Sequence, residues 1–187
     1  MPAGVGCFRA SSRITKYYVF AGCDLGLLTS GPLASSLRSL GLSLSPLDTD
    51  AKLISKLGNL RSLHIRVEST ILQLGDGHQS QVSAVLDAVM ELGNLNILIL
   101  EGFLGGLGII VNGVQRYKLR NLQKLAFRFL IDVNLGDIVN IANSLEYLDY
   151  MEIDESLDIL NEINEFIQVV SPKYPQICFS TSPLLSI

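Results

Sequence analysis

A chain of 187 residues, 48% hydrophobic and 17% charged, can bury a core as one compact domain or one short solenoid, which excludes disorder over most of its length. The net charge of −4 hides an asymmetry: residues 1–131 carry 13 Lys and Arg against 8 Asp and Glu, whereas residues 132–187 carry 1 against 10, with no basic residue from Asp132 to Val170. Such an acidic third repels nucleic-acid phosphates and anionic lipid, and serves either a basic protein surface or simply a solvated helix face.

Residues 1–13 lack a basic stretch followed by an apolar one, so they are not a secretory leader and read as an N-terminal extension or partial cap. From there a spaced apolar signature, Leu-x-x-Leu-x-Leu, recurs along the chain. A weak copy at Ile14, Tyr17 and Val19 is followed by Leu37, Leu40 and Leu42, then by Leu60, Leu63 and Ile65. Further copies stand at Leu95, Leu98 and Leu100, at Leu122, Leu125 and Phe127, and at Leu145, Leu148 and Tyr150, with a weak last one at Tyr174, Ile177 and Phe179. The intervals between starts are 23, 23, 35, 27, 23 and 29 residues. The long one holds an insertion from Glu68 to Ser80 marked by the turn formers Gly75, Asp76 and Gly77.

Alternation of period two within each copy predicts a short strand with its apolar side chains turned inward. Between copies the period becomes helical. Leu53, Ile54 and Leu57 form a stripe capped by Asp48, Thr49 and Asp50; Val82, Val85, Leu86, Val89 and Met90 form another, with Ser80 as its cap. A short helix is predicted from about Ile109, carried by Ile110, Val114 and Tyr117, and another by Leu135, Ile138, Val139 and Ala142. Ile159, Ile163, Phe166, Ile167 and Val170 predict the last, which Pro172 ends. The apolar run Asn96–Val114 has Glu101 near its middle and opens on a strand signature, so it is read as core and not as a membrane span.

A unit of this kind cannot bury its own apolar face, so only a stack makes a core. The repeated signature resembles the leucine-rich repeat family over residues 14–187. That resemblance implies an α/β solenoid of about six to seven repeats, a curved horseshoe with parallel strands on the concave side and helices on the convex side. The helical connections look like irregular ribonuclease-inhibitor-like repeats. The family's Asn or Cys at the ninth signature position is missing, since Gly22, Ser45, Glu68, Phe103, Leu130 and Ile153 stand there. Irregular repeats of this sort are similar to those of F-box-type proteins, which implies a substrate-recognition part of a ubiquitin-ligase adaptor, although no F-box helix set precedes the repeats. Residues 1–13 show little helical pattern with which to cap the first strand, and an exposed apolar N-terminal edge would imply that further repeats or an effector domain precede this chain in a longer form.

No motif for chemistry stands out. In EGFLGGLG, Gly106 and Gly108 are followed by Val111 where a dinucleotide fingerprint needs its third glycine, and no phosphate-loop lysine occurs. His64 and His78 are fourteen apart, outside any His-Glu-x-x-His pair, and Cys7, Cys23 and Cys178 match neither a zinc site nor a disulfide framework. The chain is therefore read as non-catalytic, without metal or cofactor. Free thiols and the absence of an Asn-x-Ser/Thr acceptor suit a cytoplasmic address.

Side chains between the buried leucines face the opposite, concave side. They are Tyr18 and Phe20, Gly41 and Ser43, His64 and Arg66, Ile99 and Glu101, Ala126 and Arg128, Asp149 and Met151, and Cys178 and Ser180, with Lys124 and Tyr147 just ahead. Tyr and Arg commonly dominate interface energy. The partner-binding surface is accordingly assigned to Tyr18, Phe20, Ser43, His64, Arg66, Ile99, Glu101, Lys124, Arg128, Tyr147 and Asp149, and the partner to a protein, with no nucleic acid and no membrane. Alternatives are a small α/β enzyme with a pocket around His64 or His78, or the ligand-sensing repeats of an intracellular receptor.

Overall fold

A computed structural model of the chain describes residues 16–19, 25–30, 32–44, 51–67, 77–102, 107–116, 118–128, 135–154 and 172–180. Seven strands, β1 (Lys16–Val19), β2 (Ser39–Leu44), β3 (Ser62–Val67), β4 (Ile97–Glu101), β5 (Lys124–Arg128), β6 (Tyr150–Asp154) and β7 (Ile177–Ser180), form one sheet. Every pairing is parallel, and the strands lie in chain order. The protein is thus an α/β fold in which each connection carries the chain to the next position along the sheet.

The connections from β1 to β6 contain helical segments among the described residues, as parallel pairing requires a crossover. They are α1 (Leu25–Thr29), α2 (Pro32–Ser36), a 3₁₀ turn at Ala51–Lys56, α3 (Gly77–Met90), α4 (Leu107–Gln115) and α5 (Leu135–Ser144). Contacts run along the row: α1 touches α2 and the 3₁₀ turn, that turn touches α3, α3 touches α4, and α4 touches α5. Their apolar side chains and those of the strands join in one core. Two layers result, a row of strands and a row of helical segments.

Register places like beside like. Leu40, Leu63, Leu98 and Leu125 are paired in succession, as are Leu42, Ile65, Leu100 and Phe127. All eight are buried. Leu and Ile burial of this completeness stabilises by about 1.5–3 kcal/mol per side chain, so every added strand contributes its own increment of core.

Two expectations for the connections need correction. Leu53 and Ile54 belong to a 3₁₀ turn and not an α-helix, and Leu57 lies just past its end. Only a few residues separate the expected caps from Gly58, and the i to i+3 bond from Leu57 N to Ile54 O (3.0 Å) uses them more economically. Ser80 does not cap α3, which starts earlier, at Gly77, and so uses part of the expected insertion as helix. Two short helices, α1 and α2, fill the first connection, where the apolar spacing gave no clear stripe. The caps Asp48, Thr49 and Asp50 and the helix expected over Ile159–Val170 lie outside the described residues.

The apolar run Asn96–Val114 is divided between β4 and the nine-residue α4. Among the described residues, no helix is long and apolar enough to cross a membrane. Cys178 is a free thiol in β7; Cys7 and Cys23 lie outside the described residues.

Candidate functional site

The outward sheet face is built by a turn ahead of each strand. Leu57-Gly58-Asn59-Leu60, Leu92-Gly93-Asn94-Leu95 and Leu119-Arg120-Asn121-Leu122 each close with a backbone bond from the second leucine's N–H to the first one's carbonyl, at 2.9, 3.1 and 2.9 Å. Inside each turn the asparagine donates to the preceding unit: Asn59 Nδ2 to Ser35 O at 3.1 Å, Asn94 to Gly58 O at 2.8 Å, Asn121 to Gly93 O at 2.7 Å. The ladder that is missing from the ninth signature position therefore exists one residue ahead of the signature. Its signal in sequence is the Asn that precedes Leu60, Leu95 and Leu122.

A second ladder runs through the backbone. Each residue just before a strand offers its carbonyl to two successive N–H groups of the next unit: Arg38 O to Arg61 and Ser62 (2.8 and 2.9 Å), Arg61 O to Asn96 and Ile97, Asn96 O to Gln123 and Lys124, Gln123 O to Asp149 and Tyr150 (2.9 and 3.1 Å). A carbonyl oxygen has two lone pairs, so both bonds are satisfied at once.

These ladders correct the sixth unit. Lys124 pairs with Tyr150, Leu125 with Met151 and Phe127 with Ile153, so the inward pair of the strand is Met151 and Ile153 and not Leu148 and Tyr150, Leu148 being buried in the turn ahead of it. Met151 is fully buried, whereas the signature reading turned it outward. Leu145 and Leu148 form the turn (Leu148 N to Leu145 O, 3.3 Å), and Tyr147 occupies the place of the ladder asparagines. Counted from Leu148, the last two intervals are both 26 residues.

The assigned residues therefore divide. His64, Arg66, Ile99, Glu101, Lys124 and Arg128 share the outward face of β3, β4 and β5. Ser43 stands beside Arg66 on β2, partly buried. Tyr147 and Asp149 precede β6 in its turn, off the strand columns; Tyr147 is 55% exposed, alone among large hydrophobic side chains of the described residues. Tyr18 pairs in β1 with Gly41, its side chain outside the description, and Phe20 lies outside the described residues altogether. His78 begins the first turn of α3, away from the sheet strands in sequence, and its side chain is likewise outside the description.

Two ion clusters organise the face. Glu101 accepts from His64 Nε2 at 3.0 Å and pairs with Arg66 Nε at 3.3 Å. Glu152, which the slipped register concealed, pairs with Arg128 Nη2 at 3.4 Å and Lys124 Nζ at 3.9 Å. Lys124 Nζ also stands 4.8 Å from the ring centroid of Tyr150. Desolvation first, then the negative charges of Glu152 and Cys178, raise the Tyr150 phenol above its ordinary pKa, against a lowering by Arg128.

Exposure separates the two signs. The carboxylates are recessed, with Glu101 and Glu152 side chains 13% and 14% exposed, while Arg66, Lys124, Arg128 and His64 stand at 65%, 39%, 36% and 35%. Each acid lies beneath two basic side chains. A partner approaching this face meets guanidinium and ammonium groups before it meets carboxylate.

Compared with models of known protein families the chain matches none, and no curated protein matches it.

Proposed function

We propose that the chain is a leucine-rich repeat array, a curved horseshoe of six to seven repeats, which acts as a non-catalytic protein-binding module through the outward, concave face of its strands. One observation carries this reading: consecutive strands in register place His64, Arg66, Glu101, Lys124, Arg128 and Glu152 on one face, opposite the leucine core. The side chains are held by ion pairs and by the strands beneath them, so little conformational entropy remains to be lost when a partner docks. Repeat arrays use extended faces of this kind for recognition.

Capture on the immobilised protein tests the reading. Arg66→Gln with Arg128→Gln should remove the proteins retained from a cell extract. Exposed ion pairs contribute about 0–1 kcal/mol each, so with two of them removed the melting temperature should fall by no more than about 8 °C. Retention of the same proteins by the double variant would remove the outward face as the binding surface.

A further inference from the structure

Building on the proposed binding face, we infer that the outward surface of β3, β4 and β5 takes an acidic peptide whose two carboxylates are held by Arg66 and Arg128. The register gives the spacing. Arg66 pairs with Glu101 and Glu101 with Arg128, so the two arginines lie in one column with a single strand between them. Parallel strands are about 4.8 Å apart, which puts their backbones about 10 Å apart, the advance of about three residues in an extended peptide.

Hydrogen-bonding capacity is left over at both ends of this column. Arg66 uses Nε on Glu101, and Arg128 uses Nη2 on Glu152; among the described residues the remaining guanidinium nitrogens of both make no recorded bond. A guanidinium has five N–H donors and accepts a carboxylate in a two-pronged geometry, so each arginine can hold a second carboxylate while keeping its first. Glu101 lies between them and would repel an acid placed at the middle of the peptide. Ile99, half-buried on the outward face of β4, offers an apolar contact beside the column, and its neighbour Ala126 on β5 is fully buried and carries no charge. The ligand is therefore of the form acid-x-x-acid, with uncharged residues at x.

Charge also limits the surface. Asp149 is exposed ahead of β6, so the basic region ends toward that strand. The recessed positions of Glu101 and Glu152 leave the protruding charge positive over β3 to β5. A protein segment crossing three strands matches that extent.

The test uses the full chain and three labelled peptides of about ten residues with a Gly/Ser background, carrying Glu-x-x-Glu, Gln-x-x-Gln or Lys-x-x-Lys, read by fluorescence anisotropy. The Glu peptide should bind at least about ten-fold more tightly than the Gln peptide, weaken as salt is raised, and lose about ten-fold or more with Arg66→Gln and Arg128→Gln. Should that double variant lose its cooperative melt, Arg66→Gln alone serves, with an expected loss of about three-fold or more, because its side chain is the most exposed of the set. Equal binding of the Glu and Gln peptides would overturn the inference, as would unaltered binding by the variants. So would tighter binding of a single-stranded oligonucleotide of the same charge. A partner that is captured through the face but binds by a segment without acidic residues would overturn this inference alone and leave the protein-binding reading standing.

Discussion

Gly102 ends β4 with φ of 74°, in the left-handed region, and its N–H donates to Arg128 O at 2.9 Å. A Cβ there would lie 2.6 Å from Val67 O, so the residue is fixed by close approach to β3 as well as by its dihedral. Gly102→Ala should therefore destabilise by about 1–3 kcal/mol, lowering the melting temperature by several degrees in a thermal scan. An unchanged melt would mean that the β4 end can relax. Leu119, at φ 52°, bears a similar strain without glycine's freedom, and its burial in the turn ahead of β5 offsets it. Tyr150 gives a residue-level test of electrostatics. Its raised pKa means that the folded state favours the neutral phenol. The stabilisation is fully present below the unfolded phenol pKa and is lost as pH rises through the higher folded value. In an ultraviolet absorbance titration of the folded protein, one tyrosine should ionise above the ordinary phenol range, and Tyr150→Phe should remove that step. Loss of no late step would place Tyr150 in a more solvated setting.

At the scale of the element, the sixth strand explains what was legible in the sequence and what was not. Strands β2, β3 and β5 admit one phase, because Ser39, Ser62 and Lys124 reject the one that starts three residues earlier; in β4 Ile97 admits the earlier phase, and the strand still follows the later one, with Leu98 and Leu100 buried. Around Leu145 two phases compete: Leu145-x-x-Leu148-x-Tyr150 and Leu148-x-x-Met151-x-Ile153 both satisfy the pattern. The turn leucine three residues ahead creates this ambiguity. In the fifth unit Lys124 occupies the position of Tyr150 and rejects the early phase; in the sixth, an amphipathic tyrosine does not. A slip of three residues exchanges the two faces of a strand, so the early phase hides Glu152 and makes strand neighbours of Tyr147 and Asp149. The helical segments were less legible, since the 3₁₀ turn at Ala51–Lys56 and the start of α3 depend on connection length and not on apolar spacing. Substitution separates the phases. Met151→Lys should abolish the cooperative melt, because an unpaired buried charge costs about 3–5 kcal/mol or more, whereas Tyr150→Lys should cost about 1 kcal/mol. The reverse order would restore the early phase. The asparagine ladder makes a further element-level prediction: Asn94→Ala, which removes the bond to Gly58 O, should cost about 0.5–1.5 kcal/mol in denaturant unfolding although Asn94 is exposed.

For the whole molecule the sequential sheet means that most contacts are with the next unit along. Within the described sheet β4 pairs on both sides, with β3 and β5, whereas β1 pairs only with β2 and β7 only with β6. Stability in such a row is approximately a sum of each unit's own term and its nearest-neighbour terms, so the end strands hold one interface and the middle strands two. Charge follows the same row: on the outward face Arg66, Glu101 and Arg128 alternate in sign from β3 to β5, which favours this strand order over one in which like charges would be adjacent. Local opening should then proceed from both ends toward the centre. Amide hydrogen exchange read by mass spectrometry should find β1 and β7 exchanging first and β3, β4 and β5 last. Leu98→Ala, at the centre of β4, should cost about 2–5 kcal/mol and accelerate exchange in β3 and β5 more than in β1. The accelerated strands are those that pair directly with the altered one, a gradient that a single globally cooperative core would not produce. Uniform acceleration across all seven strands would show that the units unfold together and that nearest-neighbour terms do not dominate.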